Sequence, residues 1–196
     1  MRIVIIRHGE THWNVEGRVQ GHADVELNDT GLKQAHMAGE RLSREPVDII
    51  YTSDMKRAVK TAEIINNHHG AAIVKSAALR EVSFGIFEGR IRADASVEME
   101  QYRSLGQPYP GSEDVPDYFA RVHNFLQEII SEGNKNIFIV SHFGAIRAMI
   151  CYFLRLSPEC RTDFTVGNAA IYIFEGDPDT GFSLISENDC SHLVSN

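Results

Sequence analysis

The sequence contains few cysteines and little positive charge, and each shortage excludes a class of protein. Three cysteines, Cys151, Cys160 and Cys190, occur in 196 residues, too few and too odd in number for the disulfide framework of a small secreted protein. Lysine and arginine number 19 against 27 acidic residues, a formal net charge of −8. Such a surface repels nucleic acids and anionic membranes. We therefore expect a protein of the reducing cytoplasm that binds neither of them.

A long uninterrupted apolar run is also missing. The most apolar stretch, residues 137–156, contains Ser141, His142 and Arg147, and charged side chains are costly inside a bilayer. The first residues lead directly into a short apolar segment, so we expect no signal peptide. The composition, 43% hydrophobic and 23% charged, is typical of globular proteins. We predict a single domain over residues 1–196.

Apolar segments of strand length alternate with helical patterns along the chain. The strand candidates lie at residues 3–6, 47–52, 71–74, 136–141, 170–175 and 182–187. Between them, apolar or small residues recur at helical spacing, as at Leu32, Ala35, Ala38 and Leu42. This order is typical of an α/β three-layer sandwich, in which a mainly parallel central sheet is flanked by helices.

Two local predictions accompany the α/β pattern. Ser53 ends the second strand candidate and is a good N-cap for the helix DMKRAVKTAEII that follows it. Residues 90–112 contain QPYPGS, which is a loop signature. We predict that this whole segment is irregular.

Arginine and histidine side chains follow three of the predicted strands at the point where each strand ends. Arg7 and His8 come directly after the first strand. Arg57 lies within one helical turn of the second strand, and His142 follows the strand 136–141. Ligands of open α/β sheets bind outside the carboxyl ends of the strands, and guanidinium and imidazole groups suit a dianionic phosphoryl group. The alternative is that each of these residues forms its own hydrogen bonds or ion pairs at its strand end, without a shared ligand. Their recurrence at equivalent positions favours one phosphate site.

A metal site is a second alternative for the first of these segments. His8 and His12 are four residues apart, the spacing of metal ligands on a helix. Gly9 and the preceding strand disfavour a helix at this position, and the sequence offers no cysteine or Asp–His cluster to complete such a site. We therefore predict neither a metal ion nor another cofactor.

The segment RHGETHWN, residues 7–14, resembles the signature of the histidine phosphatase superfamily in its phosphoglycerate mutase-like branch. The similarity continues in the same order and spacing through GRVQGHADVELNDTGLKQA, YTSDMKRAVKTAEII, LREVSFGIFEG, VSHFGAIRAM and NDCSHL. An RHG triplet alone is a weak signal, whereas this set covers nearly the whole chain and is highly specific. The resemblance implies a phosphoglycerate mutase-like fold and phosphoryl-transfer chemistry.

The resemblance also implies which groups perform the chemistry. His8 is the implied nucleophile, which forms a phosphohistidine, and Glu81 of LRE is the implied general acid and base. An imidazole with one free nitrogen is nucleophilic near neutral pH, and its other N–H suits a carbonyl such as that of Gly9. A carboxylic acid is needed because an alkoxide is a poor leaving group.

Other residues complete the implied site. Arg7, Arg57 and His142 correspond to the groups that bind the phosphoryl oxygens. The remaining substrate-binding candidates are loop positions and a ring at the entrance, namely Asn14, Gln20, Gly21 and Phe143. The family often has glycine where this chain has Phe143, so we expect the aromatic ring to narrow the pocket.

Several polar residues near the motifs are weaker candidates. Glu10 and Glu88 are rival acids, but Glu10 belongs to the RHGE turn and Glu88 to the FEG turn, so we rank both below Glu81. His22 and His192 either line the mouth of the site or lie on the surface. The sequence leaves both interpretations open.

Within the family, the sequence favours a phosphatase over a mutase. Related mutases carry a longer, basic insertion after the EG motif, whereas residues 90–112 are short and their arginines are offset by acidic neighbours. We predict a metal-independent hydrolase of small phosphorylated metabolites. A cofactor-dependent phosphoglycerate mutase and a non-catalytic phosphate-binding regulatory module are the alternatives. The sequence does not fix the substrate or the oligomeric state, and it leaves a homodimer open.

Overall fold

The computed structural model describes residues 1–193, in which six strands form one sheet. The strands are β1 Arg2–Arg7, β2 Ile49–Ser53, β3 Ala72–Ser76, β4 Asn136–Ser141, β5 Ile171–Asp177 and β6 Gly181–Asp189. Their order is β3-β2-β4-β1-β5-β6. The pairs β1–β4, β2–β4 and β2–β3 are parallel, whereas β1–β5 and β5–β6 are antiparallel. The last three residues of the predicted domain, 194–196, lie outside the described residues.

Helices cover both faces of the sheet. They are α1 His12–Val15, α2 Asp29–Leu42, α3 Lys56–Asn66, α4 Arg92–Ser104, α5 Val115–Ser131 and α6 Phe143–Phe153. Alternate strand residues point to opposite faces, so Ile3 and Ile5 pack with α5 and α6, whereas Val4 and Ile6 pack with α2 and α3. The predicted three-layer sandwich with a mainly parallel sheet is confirmed. No helix within residues 1–193 is long and apolar enough to span a membrane.

The centre of the sheet determines where the site lies. Residues 3–6 of β1 are almost completely buried, because helices cover the sheet on both sides, and this explains their continuous apolar sequence. β1 and β4 run in parallel register, with Arg7 opposite Ser141. β2 is parallel to β4. The carboxyl ends of these three strands therefore meet at one edge of the sheet.

The helix after β2 begins later than predicted. α3 starts at Lys56, and its N-cap position is Met55, which makes no side-chain cap. The Ser53 hydroxyl accepts a hydrogen bond from the Met55 amide at 3.3 Å, and Asp24 accepts one from the Lys56 amide at 2.8 Å. Ser53 was therefore the wrong N-cap, because a carboxylate distant in sequence satisfies the first helical amide instead.

Residues 90–112 are not wholly irregular. They contain α4, and the QPYPGS segment follows this helix as a loop. Ala95 and Met99 are the buried residues of α4, and they pack in a small cluster with Val19 and Phe87. The prediction was wrong for residues 92–104 because two buried positions, four residues apart, give only a thin apolar stripe.

Candidate active site

His8 follows β1 directly and is 3% exposed. Its Nδ1 lies 2.7 Å from the carbonyl oxygen of Gly9. A carbonyl can only accept, so Nδ1 carries the proton and Nε2 keeps its lone pair. The His8 amide donates to the carbonyl of Ser141 at 3.0 Å, which ties the residue to the end of β4. The backbone thus selects the imidazole tautomer whose Nε2 is free to attack an electrophile.

Burial and charge keep the imidazoles of the site neutral. Burial lowers the pKa of His8 well below its usual value, and the positive charges of Arg57 and Arg7 lower it further. The pKa of His142 is also well below its usual value, again through burial first and then through Arg57. The two rings lie with their centroids 5.1 Å apart. A neutral imidazole is the nucleophilic form.

Arg57 is completely buried at the start of α3. Its Nη1 and Nη2 donate to the carbonyl oxygens of Ala23 and Gly21, at 2.7 and 2.9 Å, and its Nε donates to His142 Nδ1 at 3.2 Å. Burial lowers its pKa to about 10, so the side chain remains charged at neutral pH. Within residues 1–193, no carboxylate forms an ion pair with it.

Arg7 adds a second guanidinium at the same edge of the sheet. Its Nη1 donates to the carbonyl of Val166 at 2.7 Å, and burial lowers its pKa to about 10. Its Nε is buried and has no hydrogen-bond partner in the part of the chain that the structure describes. Buried polar groups normally have partners. A buried donor on a cation therefore marks a place for an anionic ligand.

His142 is the N-cap residue of α6 and is completely buried. Because its Nδ1 accepts from Arg57, its Nε2 carries the proton. That Nε2 is buried without a partner among residues 1–193. The N-terminus of a helix also favours negative charge. His142 and Arg7 thus each direct an unused donor at a site with positive potential.

Glu81 lies between the sheet edge and α6. Its Oε1 and Oε2 accept from the Gly144 amide at 2.9 and 3.1 Å, and Oε1 also accepts from the Val82 amide at 3.0 Å. Gly144 is the second residue of α6, next but one to His142. The carboxyl group is therefore held at the N-terminus of α6, which begins directly after His142.

The loop residues differ in how they meet the site. Gly21 has a φ of +53° and its carbonyl accepts from Arg57, so it is needed for the backbone conformation. Asn14 Oδ1 accepts from Asn168, whose amide also donates to the carbonyl of His8 at 3.2 Å. Gln20 has a buried Oε1 without a partner in residues 1–193. Gly21 and Asn14 therefore contact residues of the site, and Gln20 precedes Gly21 in the same loop.

Phe143 begins α6 directly after His142. Its ring centroid lies 4.0 Å from the guanidinium carbon of Arg147 and 5.4 Å from that of Arg7. The ring therefore lies against two guanidinium groups, one of which is that of Arg7 at the site. Whether it narrows the pocket stays a prediction.

The rival acids are engaged elsewhere. Glu88 Oε1 accepts from the amides of His22 and Phe84, both at 3.0 Å, and thus stabilises the turn that contains it. Glu10 accepts from the Asn28 side chain at 2.9 Å.

His22 does reach the site, since its Nε2 lies 2.9 Å from the carbonyl oxygen of Glu81. His192 lies in a short turn that packs against α2.

Sequence reasoning missed three residues that support the site. Asn168 joins the His8 backbone to Asn14, and Arg121 and Glu113 contact the loop that carries Glu81. No local pattern marks Asn168. Glu113 precedes α5 and Arg121 lies on it, eight residues later, and this spacing alone does not identify a functional pair.

A family model described as the histidine phosphatase superfamily (branch 1) matches residues 3–189. The chain belongs to this family. Phosphoglycerate mutase-like protein 4 from Arabidopsis thaliana is 34% identical over an alignment 204 residues long, gaps included. The alignment covers 97% of this chain and 86% of that protein. Phosphoserine phosphatase 1 from Hydrogenobacter thermophilus is 31% identical over 180 residues, which cover 87% of this chain and 84% of that protein.

A solved structure agrees with these relatives. The α-ribazole phosphatase from Shigella flexneri superimposes with a TM-score of 0.88 at 26% identity, and the match covers 96% of both chains. This histidine phosphatase family member thus has phosphatases among its similar sequences and among its structural neighbours.

Proposed function

We propose that the protein hydrolyses phosphomonoesters of small metabolites through a covalent phosphohistidine at His8. One observation carries this proposal. A neutral His8 lies beside the cations Arg7 and Arg57 and the donor His142, and no carboxylate within residues 1–193 forms an ion pair with either arginine. Such an arrangement suits a phosphoryl dianion.

In the first step, His8 Nε2 attacks phosphorus, and a P–N bond forms while the P–O bond to the leaving group breaks. Glu81 gives a proton to the departing oxygen, so that it leaves as an alcohol. Arg7 and Arg57 stabilise the charge on the phosphoryl oxygens, which is the largest contribution a protein makes to phosphoryl transfer.

In the second step, water attacks the phosphorus of the phosphohistidine. Glu81 takes a proton from this water, the P–N bond breaks, and inorganic phosphate and neutral His8 are released. In this scheme the two guanidinium groups supply the charge stabilisation without a metal ion. Residues 1–193 hold no group of three or more histidine, cysteine, aspartate or glutamate side chains placed to bind a metal.

The names of the relatives support small phosphorylated substrates. They include a phosphoserine phosphatase and an α-ribazole phosphatase. A phosphoglycerate mutase-like relative supports the mutase alternative. The short segment that holds α4, Arg92–Ser104, favours transfer to water, because a mutase must protect its phosphohistidine. The net charge of −8 favours an enzyme without nucleic-acid or membrane partners. The three cysteines favour the reducing cytoplasm.

The decisive experiment traps the intermediate. The protein is mixed with p-nitrophenyl phosphate in the presence of a chelator, quenched in alkali during turnover, and digested for mass spectrometry. We expect an acid-labile phosphoryl group on His8 and steady release of nitrophenol, both absent in His8→Ala. Phosphate binding without turnover, or turnover without an adduct, contradicts the proposal.

A second assay separates hydrolysis from mutase activity. The protein is incubated with 3-phosphoglycerate, with and without 2,3-bisphosphoglycerate, and the products are followed by NMR. Free phosphate as the main product supports the proposal. Accumulation of 2-phosphoglycerate that depends on the bisphosphate identifies a mutase instead.

A further inference from the structure

An ion pair next to the site has no part in the proposed reaction. Arg121, on α5, pairs with Glu113, two residues before that helix begins. The contact has two points, Nε to Oε1 and Nη2 to Oε2, each at 2.8 Å. The side chains are only 21% and 23% exposed. Two-point arginine–carboxylate contacts fix geometry more strictly than single ones, so this pair is a rigid unit.

The free donors of Arg121 reach the backbone before Glu81. Nη1 donates to the carbonyl oxygens of Ala78 and Arg80, at 2.8 and 3.2 Å, and Nη2 lies 3.4 Å from the carbonyl oxygen of Glu81 itself. Nη1 also lies 3.5 Å from the carbonyl oxygen of Ala77, so one guanidinium binds four carbonyl groups of the segment that presents the carboxyl group.

Glu113 holds the same segment from the other side. Its Oε2 accepts from the Ser83 amide at 3.1 Å. Burial alone would raise the pKa of Glu113, but hydrogen bonds from Arg121 and Ser83 outweigh this, and the net pKa lies below its ordinary value. Glu113 is therefore ionised at neutral pH and keeps both contacts.

The Glu81 side chain is held directly only by hydrogen bonds from two backbone amides in the part of the chain that the structure describes. Its carboxyl group is held by the amides of Val82 and Gly144. A small displacement of a group that transfers a proton costs a large factor in rate. The position of the carboxyl group therefore depends on how firmly the backbone of residues 78–83 is fixed.

We propose that Arg121 and Glu113 are positioning residues that fix the backbone around Glu81, so that its carboxyl group stays at the N-terminus of α6. The inference rests on the proposed function, in which Glu81 protonates the leaving oxygen. A positioning role has one consequence that a purely stabilising ion pair does not have. Loss of the pair reduces acid catalysis while attack by His8 continues.

Substrates with different leaving groups distinguish a positioning ion pair from a purely stabilising one. Nitrophenolate is a stable anion and departs without a proton, whereas an alkoxide needs one. A displaced Glu81 therefore slows phosphoryl transfer to His8 from an alkyl phosphate, such as β-glycerol phosphate, and affects this first step much less with p-nitrophenyl phosphate. Damage to the phosphate-binding groups slows both esters alike.

The experiment measures kcat/KM for both esters with Arg121→Met, Glu113→Gln and Glu81→Gln, because kcat/KM reports the steps up to the phosphohistidine and not its hydrolysis, which is common to both esters. We expect the first two variants to lose about tenfold or more on β-glycerol phosphate and less than about threefold on p-nitrophenyl phosphate. Glu81→Gln should show the same selectivity with a larger loss. Adding Arg121→Met to Glu81→Gln should cause no further selective loss, because both changes remove the same function.

Arg2→Met is the matched control. Arg2 pairs with Glu45, and these side chains are 23% and 20% exposed, but the pair lies at the opposite end of β1 from His8. We expect a comparable decrease in Tm without selectivity between the esters. Arg121→Lys keeps the charge without the two-point contact, so it should remain folded and lose part of the alkyl phosphate activity.

Two results overturn the inference. Equal losses on both esters, or an unchanged activity in Arg121→Met and Arg121→Lys, reduce the pair to a general stabiliser. Failure of the proposed function is distinct, because the wild-type protein would then form no adduct at His8. If the wild type forms the adduct and Glu81→Gln is selective for the leaving group, a non-selective Arg121→Met refutes the positioning role alone.

Discussion

The nucleophile side of the site, with His8, Arg57 and His142, lies at the ends of central strands, where these residues are at most 3% exposed. The acid side, with Glu81, lies on an irregular segment that is only partly buried and is held by Arg121 and Glu113. The nucleophile side is therefore fixed by the core that stabilises the whole fold. The acid side is fixed by a few polar contacts, so it can be displaced without unfolding the protein.

Arg57→Ala should have the largest effect, because it disrupts the nucleophile side. Loss of one charge at the transition state costs about 10²–10³-fold in rate. The carbonyl groups of Gly21, which is buried, and Ala23, which is half-buried, also lose their donor. The free energy of unfolding should therefore fall by about 1–3 kcal/mol for the buried Gly21 group. Steady-state kinetics on p-nitrophenyl phosphate and urea denaturation measure the two effects.

Arg57→Lys is the matched variant for this position. Lysine keeps the charge but not the planar set of donors, so most of the activity should stay lost. Wild-type activity in Arg57→Lys would contradict the interpretation that the geometry of the donors matters.

Gly144→Ala should disturb the acid side alone. A Cβ at this position would lie 2.5 Å from Glu81 Oε1, so the carboxyl group must move. Alanine in a helix is more favourable than glycine by up to about 1 kcal/mol, and the fold should not be weakened. We expect kcat/KM for β-glycerol phosphate to fall about tenfold or more, with an unchanged or higher Tm. A lower Tm with equal losses on both esters would show that the two sides are not separable.

Acidification should destabilise the nucleophile side first. The folded-state pKa values of His8 and His142 lie below their usual 6.5, so the unfolded chain takes up protons that the folded protein does not. Stability is therefore lost as the pH falls below 6.5, by up to about 1.4 kcal/mol per pH unit for each histidine. The lowered pKa of Glu113 acts in the same sense but at lower pH. Its contribution is present above 4.5 and is lost only as the pH falls further.

Denaturation between about pH 7 and about pH 5.5 tests this order. His142→Asn should reduce the slope of stability against pH, because one of the two buried imidazoles is gone. His36→Ala, on the exposed surface of α2, is the control. A slope that neither variant changes would contradict the assignment.

Phe143→Leu should have the smallest effect. It removes the ring that contacts Arg147 and Arg7, and exposed cation–π contacts contribute about 0.5–1 kcal/mol each. A double-mutant cycle with Arg147→Met, followed by thermal denaturation, measures the coupling. A coupling near zero would show that the ring only fills space, and a lower KM in Phe143→Leu would support the narrowed pocket.

Motifs at strand ends were predictable because their positions follow from the fold class. Arg7, His8 and His142 each follow an apolar strand, and parallel strands bring their carboxyl ends to one edge. Glu81 was identified through the resemblance alone, since no periodic pattern marks LRE. The start of α3 and the helix α4 were missed, because Asp24 supplies a cap from a distant loop and α4 buries too few apolar residues to show a stripe.

The sequence by itself determined the α/β layering and the set of chemical groups, because apolar periodicity and strand-end residues are local properties. Only the tertiary structure determined the protonation states and the hydrogen-bond partners of these groups. The tautomer of His142, which Arg57 sets, and the contacts of Arg121 and Glu113 with the Glu81 loop come from residues far apart in the chain. Burial and hydrogen bonding of this kind depend on neighbours in space, which no window of sequence contains.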